Sequence, residues 1–380
     1  MLLLWVSAMG VVRAEDPVTV ELATGFPTGG SLNSVPTRFN EDSPAPHAPP
    51  SAVVPAPAWP EPVFAPYVDM TLWPQLSLIA LAKELDIRRF RLGFVVAQSA
   101  TQPDPSWGGA QSATSSFRLR EINALRMLGG DVAIAFGGAA GTELAAMTPS
   151  ATELATKYKS VIDAYDARVL DFDLESVSLT DRESIQRRAA ALAILQTWMA
   201  TEQRPLEIWV TLPVLPTGLS AEGINVIRSM LDRGVHVRGV NALTMDYGAG
   251  AAPNPADRMG AYAIEAARAL HSQLHTLYAA RGKPKEAAEL WQMVGITPMI
   301  GRNDTIAEVF QPSDANRVLA FAMQSRIGSL SIWSLNRDRS CEGPQAAASP
   351  LCSGIPQSDY EFTRIFQAFA TRSAGPRAQE

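Results

Sequence analysis

Cysteine and histidine are scarce in this chain, with two and four among 380 residues. Cys341 and Cys352 stand close together in a Gly/Pro/Ser-rich stretch, which suits one disulfide in an oxidising compartment better than a metal site. Closing so short a loop stabilises by about 2–3 kcal/mol on chain-entropy grounds. The few histidines, with no Gly-x-Ser-x-Gly elbow, leave little room for a Ser-His-Asp hydrolase. His271 and His275 are spaced i, i+4 in one helical segment, but the Glu that follows the first His of a zinc-protease helix is missing, so no metal or organic cofactor is expected. Positive charge is short too: 32 Lys+Arg against 38 Asp+Glu give −6 and no basic surface for a phosphate backbone, which excludes nucleic acid as a partner. Charged residues make up only 18% and hydrophobic ones 47%, enough apolar surface for a sizeable core and not a disordered segment. The apolar run from Leu2 to Val6 is far below the roughly 20 residues that span a bilayer, so no stable membrane insertion is expected.

Followed by Val12-Arg13-Ala14, that run reads as a signal peptide over residues 1–14, with the protein secreted to the extracellular space or the periplasm. Nine prolines lie between Pro44 and Pro66 and predict extended chain without ladder hydrogen bonds. Residues 15–62 therefore read as a polar tail and a Pro/Ala-rich linker, 63–372 as the folded domain and 373–380 as a C-terminal tail. Within the domain, strands are predicted at Val63–Asp69, Phe90–Ala97, Asp131–Phe136, Val169–Leu174, Leu206–Leu212, Val237–Asp246, Leu290–Thr297 and Ser329–Ser334. Helices alternate with them at Pro74–Asp86, Ser116–Leu128, Ser150–Tyr165, Asp181–Thr201, Ala221–Asp232, Asp257–Arg281, Pro312–Arg326 and Asp359–Thr371. Eight such pairs predict an α/β fold, a (β/α)8 TIM barrel preceded by a Pro-rich linker. A doubly wound nucleotide fold would want the glycine turn Gly137-Gly138-Ala139-Ala140-Gly141 after its first strand, and here the turn follows the third.

The chemistry concentrates in Val169-Leu170-Asp171-Phe172-Asp173-Leu174-Glu175-Ser176, where acids occupy every second position. On a strand such residues share a face. Asp171, Asp173 and Glu175 then line the barrel interior towards its C-terminal mouth, while Leu170, Phe172 and Leu174 face the helices. Like charges about 6–7 Å apart disfavour joint ionisation, so one proton is retained near neutral pH. A protonated carboxylic acid is what a glycosidic leaving group needs. A metal-binding or structural acid cluster is the other reading of the same pattern.

These residues resemble the Asp-x-Asp-x-Glu signature of glycoside hydrolase family 18, the chitinases and their relatives, most closely the bacterial chitinase D-like branch. Ala135-Phe136-Gly137-Gly138 is similar to the family's Ser-x-Gly-Gly on strand three, and Met245-Asp246-Tyr247 to its Met-x-Tyr on strand six. Trp333 followed by Ser334-Leu335-Asn336-Arg337-Asp338 resembles the end of strand eight. Leu212–Leu219 and Thr297–Asp304 also look like that branch, and the resemblance covers roughly Val63 to Phe369. Two positions depart from the family: Arg168 stands where an Asp is common, and Ala135 replaces the Ser.

The resemblance implies retaining, substrate-assisted hydrolysis of β-1,4-linked N-acetylglucosamine in chitin or chito-oligosaccharides. Glu175 would be the acid/base, Asp173 would orient the acetamido N–H, Asp171 would hold Asp173, and Tyr247 would bond the attacking carbonyl oxygen. Trp333 would form the sugar floor, and Met245 belongs to the matched strand-six motif. Tyr67 and Trp107 are placed at strand ends as sugar contacts, with Asp246, Asn303 and Asn336 as further polar candidates. A monomer is expected. An endo-β-N-acetylglucosaminidase and a non-hydrolytic chitin-binding protein would use the same cleft.

Overall fold

The computed structural model describes residues 53–371, so the expected signal peptide, most of the tail and linker, and the C-terminal tail lie outside the described residues. The first barrel position is split into β1 (Val63–Phe64) and β2 (Tyr67–Asp69). Then come β3 (Arg89–Ser99), β4 (Gln102–Trp107), β5 (Gln111–Ser112), β6 (Asp131–Gly137), β7 (Val169–Asp173), β8 (Glu207–Leu215) and β9 (Gly218–Leu219). The set ends with β10 (Gly239–Leu243), β11 (Val294–Thr297), β12 (Gly301–Arg302), β13 (Val309–Phe310) and β14 (Ser329–Leu330). β14, β11, β10, β8, β7, β6 and β3 lie side by side in parallel. β1 pairs with β14 through Val63↔Ser329 and β2 with β3 through Tyr67↔Arg91, which closes the ring. The expected barrel is present.

The helices form because their apolar spacing matches the barrel wall. In α4 (Ala151–Tyr165), the fourth helix in chain order after α1 (Leu78–Glu84), α2 (Leu119–Met127) and α3 (Leu144–Met147), Ser150 caps the N-terminus by accepting from the Glu153 N–H. Its buried residues Leu154, Ala155, Tyr158, Val161, Ile162 and Tyr165 make one stripe. Tyr158 meets Phe136 and Phe172 edge-on, with ring centroids 5.1 and 5.2 Å away, and those two rings stack at 5.2 Å. Phe172 therefore faces the helices, which sends its neighbours Asp171 and Asp173 inward as the alternation predicts.

The remaining helices are α5 (Arg182–Thr201), α6 (Ala221–Asp232), α7 (Met259–Ala279), α8 (Ala287–Gln292), α9 (Pro312–Ser325), α10 (Glu361–Phe366) and α11 (Ala368–Thr371). Leu290, predicted to open the seventh strand, lies in α8, because the apolar run there spans a helix end and a strand start. The β3–β4–β5 hairpin is an insertion that the β/α alternation did not reveal.

The segment 53–62 is not a free linker. Val54 N–H donates to Asn123 Oδ1 at 2.9 Å and Ala56 N–H to Asp166 Oδ2 at 3.0 Å. Trp59 packs under the barrel against Ala133, Val169 and Trp209, and its Nε1 donates to Asp131 Oδ2 at 2.8 Å. Glu61 pairs with Arg238 at 2.7 Å. Proline-rich chain has few ladder bonds to offer, but side chains meet the N–H groups of Val54 and Ala56 here, so it lies as a strap across the base. The domain's contacts thus begin about ten residues before the expected boundary at Val63. Cys341 and Cys352 form the expected disulfide. Among the described residues, no helix is long and apolar enough to cross a membrane.

Candidate active site

One layer of the barrel interior is polar and draws on several strands. Asp171 on β7 is fully buried and accepts from the Tyr67 hydroxyl of β2 and from Thr211 Oγ1 of β8, the latter at 2.7 Å. Arg91 of β3 adds an ion pair at 3.1 Å. Asn241 of β10 donates to Thr211 Oγ1 at 3.1 Å and to Thr297 Oγ1 of β11 at 2.7 Å. Burial, then the charge of Asp171, pushes the Tyr67 phenol well above its ordinary value, which keeps it a donor.

Above this layer the acids open on a cavity of ≈ 610 Å³ at the C-terminal mouth, lined by Asp173, Glu175, Asp246, Asp304, Tyr67, Phe94, Met245 and Trp333 among others. Asp173 is 3% exposed and its Oδ1 has no hydrogen-bond partner. Burial, then the charges of Glu175 and Asp171, hold its pKa well above the usual carboxylate range, and Arg91 opposes them. Burial, then Asp246 and Asp304, push Glu175 up to about 7. A site of this kind holds a proton at neutral pH and presents it to a ligand.

A smaller cavity of ≈ 230 Å³ lies beside Gly137–Gly141 and shares Glu175 with the first. The glycine turn is explained by crowding, not by a nucleotide. Gly137 has φ +95°, and a Cβ there would stand 2.0 Å from the Asp173 carbonyl oxygen. A Cβ on Gly138, at φ +83°, would stand 2.7 Å from the Phe94 ring.

No protein-family model matches the chain. A probable bifunctional chitinase/lysozyme of Escherichia coli K12 is 39% identical over 323 residues, covering 83% of this chain and 35% of that protein. Endochitinase 11 of Metarhizium anisopliae is 40% identical over 288 residues, 75% of this chain and 54% of its own length. The chain thus spans about a third and about half of these two relatives. Catalytic-site mutants of active domain 2 of a thermostable chitinase from Pyrococcus furiosus, solved with chito-oligosaccharides, match with a TM-score of 0.74 at 34% identity, over 85% of this chain and 99% of that one. The chain belongs to the glycoside hydrolase family 18 chitinases.

Several expected residues of this family 18 site converge on the main cavity: Asp173, Glu175, Tyr67, Met245, Asp246 and Trp333. Trp333 is set by backbone bonds, its N–H to Pro298 O at 2.9 Å and its O accepting from Ile300 N–H at 3.1 Å. Others lie outside its lining. Tyr247 is outside the cavity lining: Asp246 takes φ +52°, which breaks the strand alternation, and the phenol packs edge-on against Tyr262 of α7 at 6.1 Å. Trp107, the last residue of β4, is 1% exposed and donates to the Tyr165 hydroxyl at 3.0 Å, so its side chain packs in the core. Asn303 donates to Met299 O at 2.9 Å and Asn336 accepts from Asp69 N–H at 2.8 Å; both brace loops.

Sequence reasoning missed Phe94, Asp304 and Arg91. Phe94 stands 5.5 Å from Trp333 and 5.9 Å from Tyr67, ring to ring. An aromatic in a strand gives no sign of facing a mouth. Asp304 lay inside the matched stretch Thr297–Asp304, and its acid was the available signal. Of the two departures, Arg168 precedes β7 and faces Asp166 at 3.9 Å, away from the cavity, whereas Ala135 is in register with Asp171.

Proposed function

We propose that this domain hydrolyses β-1,4-linked N-acetylglucosamine in chitin or chito-oligosaccharides with retention of configuration, using the substrate's own acetamido group. The observation that carries the reading is Glu175, a carboxyl pushed up to about 7 that opens on the same cavity as buried Asp173 and the Trp333 indole. Glu175 also borders the smaller cavity, which fits sugars on both sides of the bond it would protonate.

In the first step Glu175 gives its proton to the glycosidic oxygen, the leaving sugar departs as an alcohol, and the acetamido carbonyl oxygen bonds to the anomeric carbon. Asp173, with a free buried oxygen, accepts from the acetamido N–H and offsets the positive charge of the oxazolinium ion. Water then attacks the anomeric carbon, breaking its bond to the acetamido oxygen so that the acetamido group is restored, and passes a proton back to Glu175. With Tyr247 turned onto α7, orientation rests on Asp173 and on the Trp333 face. A disulfide fits an exported protein, and the unit reads as one catalytic domain from about residue 53 to 371, acting as a monomer.

Purified protein and Glu175→Gln are incubated with chitotetraose and chitohexaose and the products followed by mass spectrometry. Shortening by the wild type alone is expected. Binding without cleavage by either protein would replace this reading with a non-hydrolytic chitin binder. Neither binding nor cleavage would redirect it to glycoprotein glycans.

A further inference from the structure

The smaller cavity beside Glu175 has two walls, and a buried ion pair ties one to the other. One wall is the turn at residues 137–141 after β6, the other residues 175–178 after β7. The turn is pinned at its start, where the Gly138 N–H donates to Asp173 O at 2.9 Å, and beyond its end, where the Ala97 N–H donates to Thr142 O at 2.8 Å. Glu143 follows, bordering the same cavity with its side chain buried. Its Oε2 accepts from Arg188 Nη2 of α5 at 2.8 Å and from the Ala145 N–H at 3.0 Å, and its Oε1 accepts from the Tyr158 hydroxyl of α4 at 3.1 Å.

The Arg188 side chain is fully buried, and its Nε and Nη1 have no hydrogen-bond partner, so its hydrogen bonding is spent on Glu143. Arg187 donates from Nε to Pro149 O at 3.1 Å and from Nη1 to Ala145 O, so two consecutive arginines grip residues 143–149. Their helix grows directly out of the second wall, through the short turn Ser176–Leu179 and the Asp181 cap. A buried ion pair is a poor source of stability, since two apolar side chains of similar volume fill such a place with less desolvation. What directed, charge-assisted hydrogen bonds add is a defined geometry. Geometry matters here because no aromatic ring lines the smaller cavity among the described residues. Without a face to stack on, a sugar is held there by how closely backbone and small side chains approach it.

We infer that Glu143 and Arg188 are positioning residues: their pair sets the spacing of the two walls, so that the leaving sugar is held in line with the Glu175 carboxyl. The inference rests on the chitinolytic reading. Neither residue touches the reacting atoms. A displaced wall penalises a leaving sugar more than a leaving group that makes few contacts there, which separates positioning from mere support of the fold.

The test compares kcat/KM on chitotetraose with that on 4-methylumbelliferyl chitobioside, whose leaving group is an aryl alcohol in place of a sugar. The variants are Ala140→Leu and the double variant Glu143→Leu with Arg188→Met, which leaves neither charge unpaired. Ala140 is exposed and lines the smaller cavity, so a leucine there crowds the leaving sugar directly. For both variants the chitotetraose-to-aryl ratio is expected to fall by about tenfold. A ratio within about threefold of wild type in the double variant, whether both activities fall together or neither moves, overturns the inference. The same result for Ala140→Leu overturns it too, because the leaving sugar then lies elsewhere. Should the double variant not fold, Glu143→Gln decides: a ratio lowered by more than about threefold supports the inference, and a smaller change overturns it. A wild type that cleaves neither substrate overturns the chitinolytic reading; amide hydrogen exchange at residues 138–147 then judges the clamp separately, with faster exchange in the double variant supporting it and equal exchange overturning it.

Discussion

Trp107 Nε1 donates to the Tyr165 hydroxyl at 3.0 Å, inside the wall and away from the cavity that the Trp333 indole lines. The two tryptophans therefore respond oppositely to substitution. Trp107→Phe is expected to cost about 1 kcal/mol of stability through the lost buried hydrogen bond, with kcat/KM unchanged. Trp333→Ala is expected to lower kcat/KM by about ten- to hundredfold with little change in Tm. Steady-state kinetics and thermal melts on both variants check this.

The proton on Glu175 sets a basic limb. With Glu175 pushed up to about 7 by burial, Asp246 and Asp304, kcat is expected to fall as pH rises through that value. Removing a like charge favours ionisation, so Asp304→Asn moves the limb to lower pH. Asp304 is exposed, and the shift should shrink at high salt. A pH profile at two salt concentrations tests both statements.

Stability carries the same proton. The folded pKa of Glu175, about 7, lies above its ordinary 4.5, so the folded state binds the proton more tightly. That contribution is complete below 4.5 and lost as pH rises through about 7. Glu175→Gln does not titrate, and is expected to gain on the wild type by up to about 3 kcal/mol between pH 4 and pH 8. Denaturant melts of both proteins at the two pH values measure it, and an equal difference at both would sink the assignment.

The strap at the base predicts a sharp truncation boundary. Trp59→Ala leaves a gap under Ala133, Val169 and Trp209 and removes a donor from Asp131, at an expected cost of about 3 kcal/mol. A chain starting at residue 63 is expected to melt markedly below one starting at residue 53, because only the second keeps the strap's contacts. Calorimetry on the two truncated chains distinguishes the strap from a spacer.

Much of the barrel and the inward face of its acids were legible in the residues alone, because both depend on short-range periodicity. Acids at every second position of Val169–Ser176 determined that Asp171 and Asp173 share the inner face, since a strand alternates whatever surrounds it. The alternation of apolar runs with helical stripes determined the barrel. What tertiary structure alone decided concerns groups whose partners are distant in the chain or whose backbone leaves the regular pattern. Asp246 at φ +52° turned Tyr247 onto α7, and a strand pattern carries no sign of that reversal. Trp107 found Tyr165, 58 residues away, and became core. Asp304 came to act on Glu175 only when two mouth loops met, and the Pro-rich segment before Val63 became a strap only because Asn123 and Asp166 accept the N–H groups of Val54 and Ala56 that lie between its prolines. Arg91 pairs with Asp171 across 80 residues of sequence, a contact that ring closure creates and local spacing cannot encode.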